Sequence, residues 1–344
     1  MYVLPSMTEN PRWTDAAWRA EAEAWIVRQL RELGLRADGA IEQAHIAWWS
    51  TVLRVPTASG PLWFKAAQAR DAHEARLTPL LAALRPEMTV EVLATDAERG
   101  WLLERDAGTR LRDLADGVPQ VDHWERLLPQ YAELQLQLAP RVDEMLALGL
   151  PDRRLGSLPT TLASLLDEPD LLLLDAPDGV SGADRERLRA GFAAFAETCA
   201  ALASVGVPET LQHDDLNDGN VFVRGGRHVV FDWGDACVTH PFHSLVVALR
   251  AGAYKQGWLP GGPEVTRLVD AYLEPWGGIA SPSDLRLAAD LARRTGTIQR
   301  SLAWRDAVLE MPPEVRAEHV DSVPYGLRLY LLDGPWGSWG DGSF

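Results

Sequence analysis

Two rhythms of apolar residues alternate along the first hundred positions. Over 14–33, "TDAAWRAEAEAWIVRQLREL", Trp18, Ala22, Trp25, Gln29, Leu30 and Leu33 fall near one stripe at helical spacing. This predicts an amphipathic helix, capped by Thr14 and stopped by Gly34. Within 44–67 the pattern turns strand-like: "WSTVLRV" and "PLWFKA" are β-rich, and "PTASG" between them is turn chemistry, so an antiparallel hairpin is expected. Residues 71–84 return to helical spacing, with Pro79 expected to interrupt or restart the helix. "MTVEVLAT" and "GWLLERD" predict two further strands around the charged turn "DAERG", closing a small α+β unit near residue 105.

Helical spacing dominates from there on. It covers 121–148, with a kink expected at Pro129, and 183–204, ended by Gly206 and Pro208. It resumes over 243–256, 263–274 and 283–310. One β island interrupts it: "NVFV", "RGGR" and "HVVFD" read as a tight hairpin around Gly225 and Gly226. The Gly- and Trp-rich tail, "GPWGSWGDGSF", is left unassigned. The division expected is 1–105, an N-terminal helix with a β-rich lobe, and 106–344, a helical lobe.

Composition narrows the classes. Asp plus Glu number 49 against 33 Lys plus Arg, a net charge of −16 that disfavours nucleic acid and anionic membrane as partners and leans toward a cationic ligand. Two cysteines, Cys199 and Cys237, make neither a disulfide framework nor a zinc motif, so a reducing cytoplasm is the expectation. The start, "MYVLPSMTEN", shows no basic and apolar regions of a secretory signal, and no apolar run is long enough to span a bilayer.

The chemistry concentrates in "LQHDDLNDGNVFV", residues 211–223. His213, Asp215 and Asn220 precede the first strand of the island, and Asp232, in "FDWGDA", ends its second strand. A hairpin brings its outer ends together, so Asp215, Asn220 and Asp232 are expected to converge. Phosphoryl transfer needs such oxygens: a carboxylate takes the acceptor's hydroxyl proton, and hard oxygens hold Mg²⁺ against the phosphates. Asp215 suits the base; Asn220 and Asp232 suit the metal.

"QHDDLNDGNVFV" followed by "VVFDWGDA" resembles the aminoglycoside phosphotransferase and choline kinase-like family. The resemblance implies a bilobal α+β fold shared with protein kinases, ATP and Mg²⁺ as cofactors, and transfer to a hydroxyl of a small molecule such as an aminoglycoside, an amino sugar or another cationic metabolite or antibiotic. The family's usual loop reads H-G-D-x-x-x-x-N; here Asp214 replaces the glycine, and Asn217 stands where histidine is common. Both departures bear on the acceptor site rather than on the base or metal ligands.

The same resemblance assigns Lys65, on the second predicted strand, to the nucleotide phosphates, with Glu74 on the next helix as its ion-pair partner. A Gly-rich loop is absent; Ser50, near the turn in its place, and nearby backbone N–H groups are candidates to contact the phosphates, a role that competes with a plain turn. An adenine is expected on the backbone around Leu103–Arg105, and Asp106 is expected to cap the following helix. His213 is read as an orienting residue. His240 and His243 lack the aspartates of the family's segment there and are read as structural. Asp214, Asp218, Asp235, Trp304, Arg305 and Asp306 are the acceptor-site candidates; for Asp235, bracing the loop is the competing role. A nucleotide-binding regulatory module without kinase activity is the rival in a different class, and a protein kinase the second; the complete catalytic set and the absent Gly-rich loop argue against them in turn.

Overall fold

The strand-forming runs owe their order to which side chains have to be hidden. In the computed structural model, which describes residues 10–334 and Trp336, the chain runs α1 (Ala16–Glu32), β1 (Glu42–Ile46), β2 (Ser50–Val55), β3 (Leu62–Ala67), α2 (Glu74–Leu84), β4 (Val92–Asp96), β5 (Trp101–Arg105) and β6 (Thr109–Arg110). Next come α3 (Gln120–Leu138), α4 (Val142–Ala147), α5 (Leu158–Leu166), α6 (Gly182–Ala190), α7 (Phe192–Ser204) and β7 (Thr210–Gln212). The hairpin β8 (Val221–Arg224) and β9 (Arg227–Val230) leads to β10 (Cys237–Thr239). Five helices close the chain: α8 (Ser244–Gln256), α9 (Pro263–Leu273), α10 (Pro282–Leu309), the short α11 (Pro313–Arg316) and α12 (Ser322–Leu332). The signal-free start read from the sequence, and the tail beyond Gly334 apart from Trp336, lie outside the described residues.

Two compact units result. The first comprises 1–113 together with 221–234, and the second 114–220 with 235–344. The first unit thus takes in the hairpin β8–β9.

The first unit carries a five-stranded antiparallel sheet in the order β1-β2-β3-β5-β4. One face of β3 and β5 presents Phe64, Ala66, Trp101 and Leu103 to Trp18, Trp25 and Ile26 of α1, forming the core of this unit. Trp25, Phe64 and Trp101 meet with ring centroids 5.5–5.7 Å apart in tilted or edge-on contacts, the arrangement their quadrupoles favour. The cap of α1 is Asp15, whose carboxylate accepts from the Trp18 N–H at 2.8 Å, in place of Thr14. β1 was not predicted, because "EQAHI" at the sheet edge buries none of its five residues. Pro79 lies inside α2 without ending it, and the helix starts at Glu74 rather than 71.

In the second unit α3 stays continuous through Pro129. The helix expected over 183–204 is two helices, parted at Gly191. The hairpin is not the one β island of the helical half, because β7 and β10 pair antiparallel, Gln212 opposite Cys237. α12 packs on α10 where Gly326 permits it: a Cβ there would stand 2.4 Å from Ser301 Oγ and 2.6 Å from the Thr297 carbonyl. No helix among the described residues is long and apolar enough to cross a membrane.

Candidate active site

Alternation along β3 decides where Lys65 points. Phe64 and Ala66 enter the aromatic core, so Lys65 takes the opposite face, where it is 3% exposed. Its Nζ lies 2.7 Å from both carboxylate oxygens of Glu74 and 2.5 Å from Asp232 Oδ1. Glu74 is the first residue of α2, and it also accepts the Trp233 N–H at 2.9 Å. Asp232 ends the β9 side of the hairpin with φ +65°, a left-handed conformation that costs a non-glycine residue energy and turns the carboxylate out of strand geometry. Burial pulls the Lys65 ammonium toward its neutral form, but Asp232 and Glu74 outweigh it and hold the pKa above the ordinary lysine value. The sequence-predicted trio of lysine, glutamate and metal-side aspartate is therefore gathered within one unit.

The same face holds a carboxyl the sequence reading passed over. Glu104 on β5 lies opposite Trp63 and is 1% exposed. Burial first, and then Glu74, push its pKa up to about 8 against the pull of Lys65, so it is largely protonated at neutral pH. A charged residue inside the otherwise apolar "WLLE" was the available signal.

The nucleotide-side candidates on the backbone fare differently. Ser50 opens β2 and is buried, and its hydroxyl has no hydrogen-bond partner among the described residues. Leu103 and Arg105 offer no open edge to a base: β5 is flanked by β3 and β4, the Leu103 side chain is in the core, and the Arg105 N–H donates to the Glu91 carbonyl at 3.0 Å. Asp106 caps no helix; its two oxygens accept from Trp63 Nε1 at 3.0 Å and the Gly108 N–H at 3.2 Å.

In the second unit, β7 delivers the chain into the polar loop. His213 is fully buried; its N–H donates to the Tyr131 hydroxyl at 3.0 Å, and its Nδ1 accepts the Asp215 N–H at 3.3 Å. It holds the loop, as an orienting residue would. Asp214 follows with φ +62°. Its carboxylate, 0% exposed, meets Arg153 at 3.4 Å, Arg300 at 3.6 Å, Gln299 at 3.2 Å and Gln212 at 3.1 Å. Asp214 is thus sealed away from any acceptor and serves as an internal anchor. Asp215 remains 33% exposed. Its Oδ2 accepts from Asn220 Nδ2 at 2.9 Å and Asn217 Nδ2 at 3.0 Å, and its Oδ1 from Arg300 at 3.3 Å. Asn220 spends its amide N–H on Asp215, so its amide oxygen keeps no hydrogen bond among the described residues.

The other acceptor candidates scatter. Asp218 pairs with Lys255 at 2.6 Å, Asp306 with Arg153 and Arg305 at 3.3 and 3.4 Å, and Arg305 with Glu168 at 2.6 Å. Asp235 lies within the electrostatic reach of Asp214, Arg153 and Arg300. Of the candidates for the acceptor, only Trp304 lines the cavity that Asp215 also lines, a space of about 210 Å³. The walls include Arg250, Arg300, Tyr325 and Asp321, none of them read from the sequence. Arg300 had a signal: it lies four residues before Trp304 on α10 and therefore on the same face. His240 and His243 are buried, His243 hydrogen-bonded to Thr239 and Thr295, and burial lowers both pKa values.

The family model described as "Phosphotransferase enzyme family" matches residues 47–288. Among solved structures, a choline/ethanolamine kinase family protein from Mesorhizobium loti aligns with a TM-score of 0.58 at 16% identity, covering 93% of this chain and 96% of that one. An ethanolamine kinase of Plasmodium vivax gives 0.59 at 12% identity, with 94% and 95% covered. A mutant aminoglycoside 2′-phosphotransferase in complex with GDP gives 0.57 at 15% identity, with 90% and 96% covered. These likenesses identify a kinase-like fold. No curated protein sequence matches the chain.

Proposed function

Since the chain belongs to the phosphotransferase enzyme family, and is a small-molecule kinase of that family, we propose that it carries the γ-phosphoryl group of Mg²⁺-bound ATP to a hydroxyl of a small acceptor. The observation that carries this reading is the state of Asp215. It is partly exposed, lines a cavity, and is aimed by three donors, the two asparagine amides and the arginine, while its backbone N–H donates to His213 Nδ1. A carboxylate so held is preorganised to receive a proton.

In the proposed reaction the acceptor oxygen bonds to the γ-phosphorus as the bond from that phosphorus to its bridging oxygen breaks. ADP leaves with that electron pair, and the hydroxyl proton passes to Asp215. Lys65, fixed by Glu74, holds the nucleotide phosphates. The Asn220 amide oxygen and the Asp232 carboxylate are hard donors that suit Mg²⁺, which takes only one or two protein oxygens and completes its shell with phosphates and water. When bound, the ion neutralises charge on the phosphates. Among the described residues no group of three or more histidine, cysteine or carboxylate side chains is gathered for a metal, in keeping with that sparse ligation. A cytoplasmic setting fits the two buried free cysteines.

Coupled ADP release over a panel of hydroxyl compounds tests the reading. Asp215→Asn is expected to lower kcat by about 10²–10⁴-fold while nucleotide binding persists. Turnover that survives within a few-fold rules Asp215 out as the base. Asp232→Ala is expected to lose Mg²⁺-dependent nucleotide binding.

A further inference from the structure

Lysine is rare in this chain: of the 33 lysine and arginine residues only two are lysines, Lys65 and Lys255. Lys255 pairs with Asp218. Lys65 is the more heavily engaged. Three carboxylate oxygens lie close to its Nζ, as many as an ammonium has N–H bonds: both oxygens of Glu74 at 2.7 Å and Asp232 Oδ1 at 2.5 Å. A phosphate that takes an N–H from this ammonium therefore displaces a carboxylate. The two carboxylates are held differently. The Glu74 side chain is 3% exposed, opens α2 and also accepts the Trp233 N–H at 2.9 Å. The Asp232 side chain is 39% exposed, and the bond from Trp233 to Glu74 fixes the backbone just after it. Asp232 can swing its carboxylate off Lys65 by side-chain rotation while its backbone stays in place. Glu74 would have to give up two partners in a buried site. Lys65 itself stays an ammonium, because the two carboxylates outweigh burial.

We propose that Asp232 serves Lys65 and the divalent ion in turn, and that the nucleotide phosphates bring about the exchange. Lys65 is the internal cation of that carboxylate until phosphate oxygens draw one of its N–H bonds away. Asp232 then turns to the ion that accompanies the phosphates. With Lys65 still in contact, Asp232 would present a divalent ion with a like charge across a single carboxylate, in surroundings that screen charge less than water does. Moved onto phosphate, the same ammonium neutralises the nucleotide instead. Lys65 is thus a positioning residue for Asp232 as well as a phosphate ligand. The arrangement discriminates: Asp232 refuses a free divalent ion and accepts one that arrives with a nucleotide. Lys65, Glu74, Asp232 and Trp233 all belong to the first unit.

This inference rests on the roles proposed above for Lys65 and Asp232, and the experiment reads them without turnover. Because the chain has two lysines, protein isotope-labelled at lysine Cε gives two NMR signals, which Lys255→Arg assigns. In the native protein the Lys65 signal is expected to hold still under Mg²⁺ alone. It is expected to move when the non-hydrolysable β,γ-imido analogue of ATP is added, with Mg²⁺ or with a chelator. Mn²⁺ binding without nucleotide is followed by the EPR signal of the free ion. Native protein should bind Mn²⁺ no better than Asp232→Asn does. Lys65→Met should gain a site at least about tenfold tighter, since the like charge is gone. Adding Asp232→Asn to Lys65→Met should remove that gain. Thermal melting checks each variant, and where Lys65→Met does not fold the native titration decides alone. The exchange is overturned by a Lys65 signal that moves as far with Mg²⁺ alone as with nucleotide, by one that ignores nucleotide, or by a folded Lys65→Met that gains no Mn²⁺ affinity. ADP release with hydroxyl compounds alongside any of these results keeps the kinase. The expected signals without ADP release from any hydroxyl compound keep the exchange and overturn the kinase.

Discussion

In the first unit one ammonium, Lys65, sits between two carboxylates, Glu74 and Asp232; in the second, two adjacent aspartates, Asp214 and Asp215, are held by two guanidiniums, Arg153 and Arg300. Both sets bury charge, which is favourable only when partners are close and well oriented. They differ in balance and in exposure. Carboxylates outnumber the cation around Lys65, and the Asp232 side chain remains 39% exposed, so that set is suited to accept a further cation. Around the loop, acids and bases match, and Asp214 is sealed. That set completes itself, and in the proposed reading it aims Asp215, while the first set binds.

Four substitutions test that contrast, in descending size of effect. Asp214→Ala leaves Arg153 and Arg300 buried without their shared anion and should cost about 3–5 kcal/mol in urea unfolding. A cost under about 1 kcal/mol would mean that the loop does not depend on its anchor. Glu104→Gln acts on the first cluster through pH. Burial raises the folded carboxyl to about 8 against an ordinary glutamate value of 4.5, so the folded state holds the proton more tightly. Its stability contribution is intact below pH 4.5 and is lost progressively as pH rises to about 8. Glutamine cannot ionise. The variant should therefore gain on the order of a few kcal/mol over the native protein at pH 8 and nothing near pH 4.5. Parallel unfolding curves at both pH values would refute the assignment. Arg300→Lys keeps the charge and loses the fork that spans Asp214 and Asp215; kcat should fall by about ten- to a hundredfold with nucleotide affinity unchanged. A parallel loss of nucleotide affinity would contradict a positioning role. Arg154→Ala removes an exposed pair with Asp152 and should leave the unfolding midpoint unmoved, the control for both clusters.

Local signals made most of the binding cluster legible. Lys65 follows an alternating run, Glu74 opens a helix nine residues later, and Asp232 ends a strand after a Gly-Gly turn. The roles of Lys65 and Glu74 came from the family resemblance that these short motifs carry, and the fold of the first unit brings the three together. The positioning cluster was legible only at its loop. Arg153 and Arg300 lie 61 and 86 residues from Asp214, and no periodicity encodes such a meeting. Arg250 was hidden for a related reason: α8 is buried from Ser244 to Ala253, and no local pattern distinguished its one arginine from a helix-surface charge. Asp214 was read as an acceptor candidate because an extra carboxylate in a catalytic loop suggests a ligand contact; its four hydrogen-bonding or ionic partners lie far along the chain or carry no local signal. β7 and β10, three residues each, are too short for a period-two signal. The split at Gly191 was obscured by apolar spacing that runs across it.

Gly326 has a consequence for how such a protein changes over generations. Tyr325 and Ser322 of the cavity wall are carried by α12, and Asp321 immediately precedes it, near the end of the described chain and more than a hundred residues after the loop that holds Asp215. That helix lies close to α10 because position 326 has no side chain to meet Ser301. A single codon change there would lift the helix and resize the cavity, leaving Asp215, Asn220 and Lys65 as they are. If the cavity receives the acceptor, as proposed, selection on what is phosphorylated can act on this one helix, while selection on phosphorylation itself acts elsewhere.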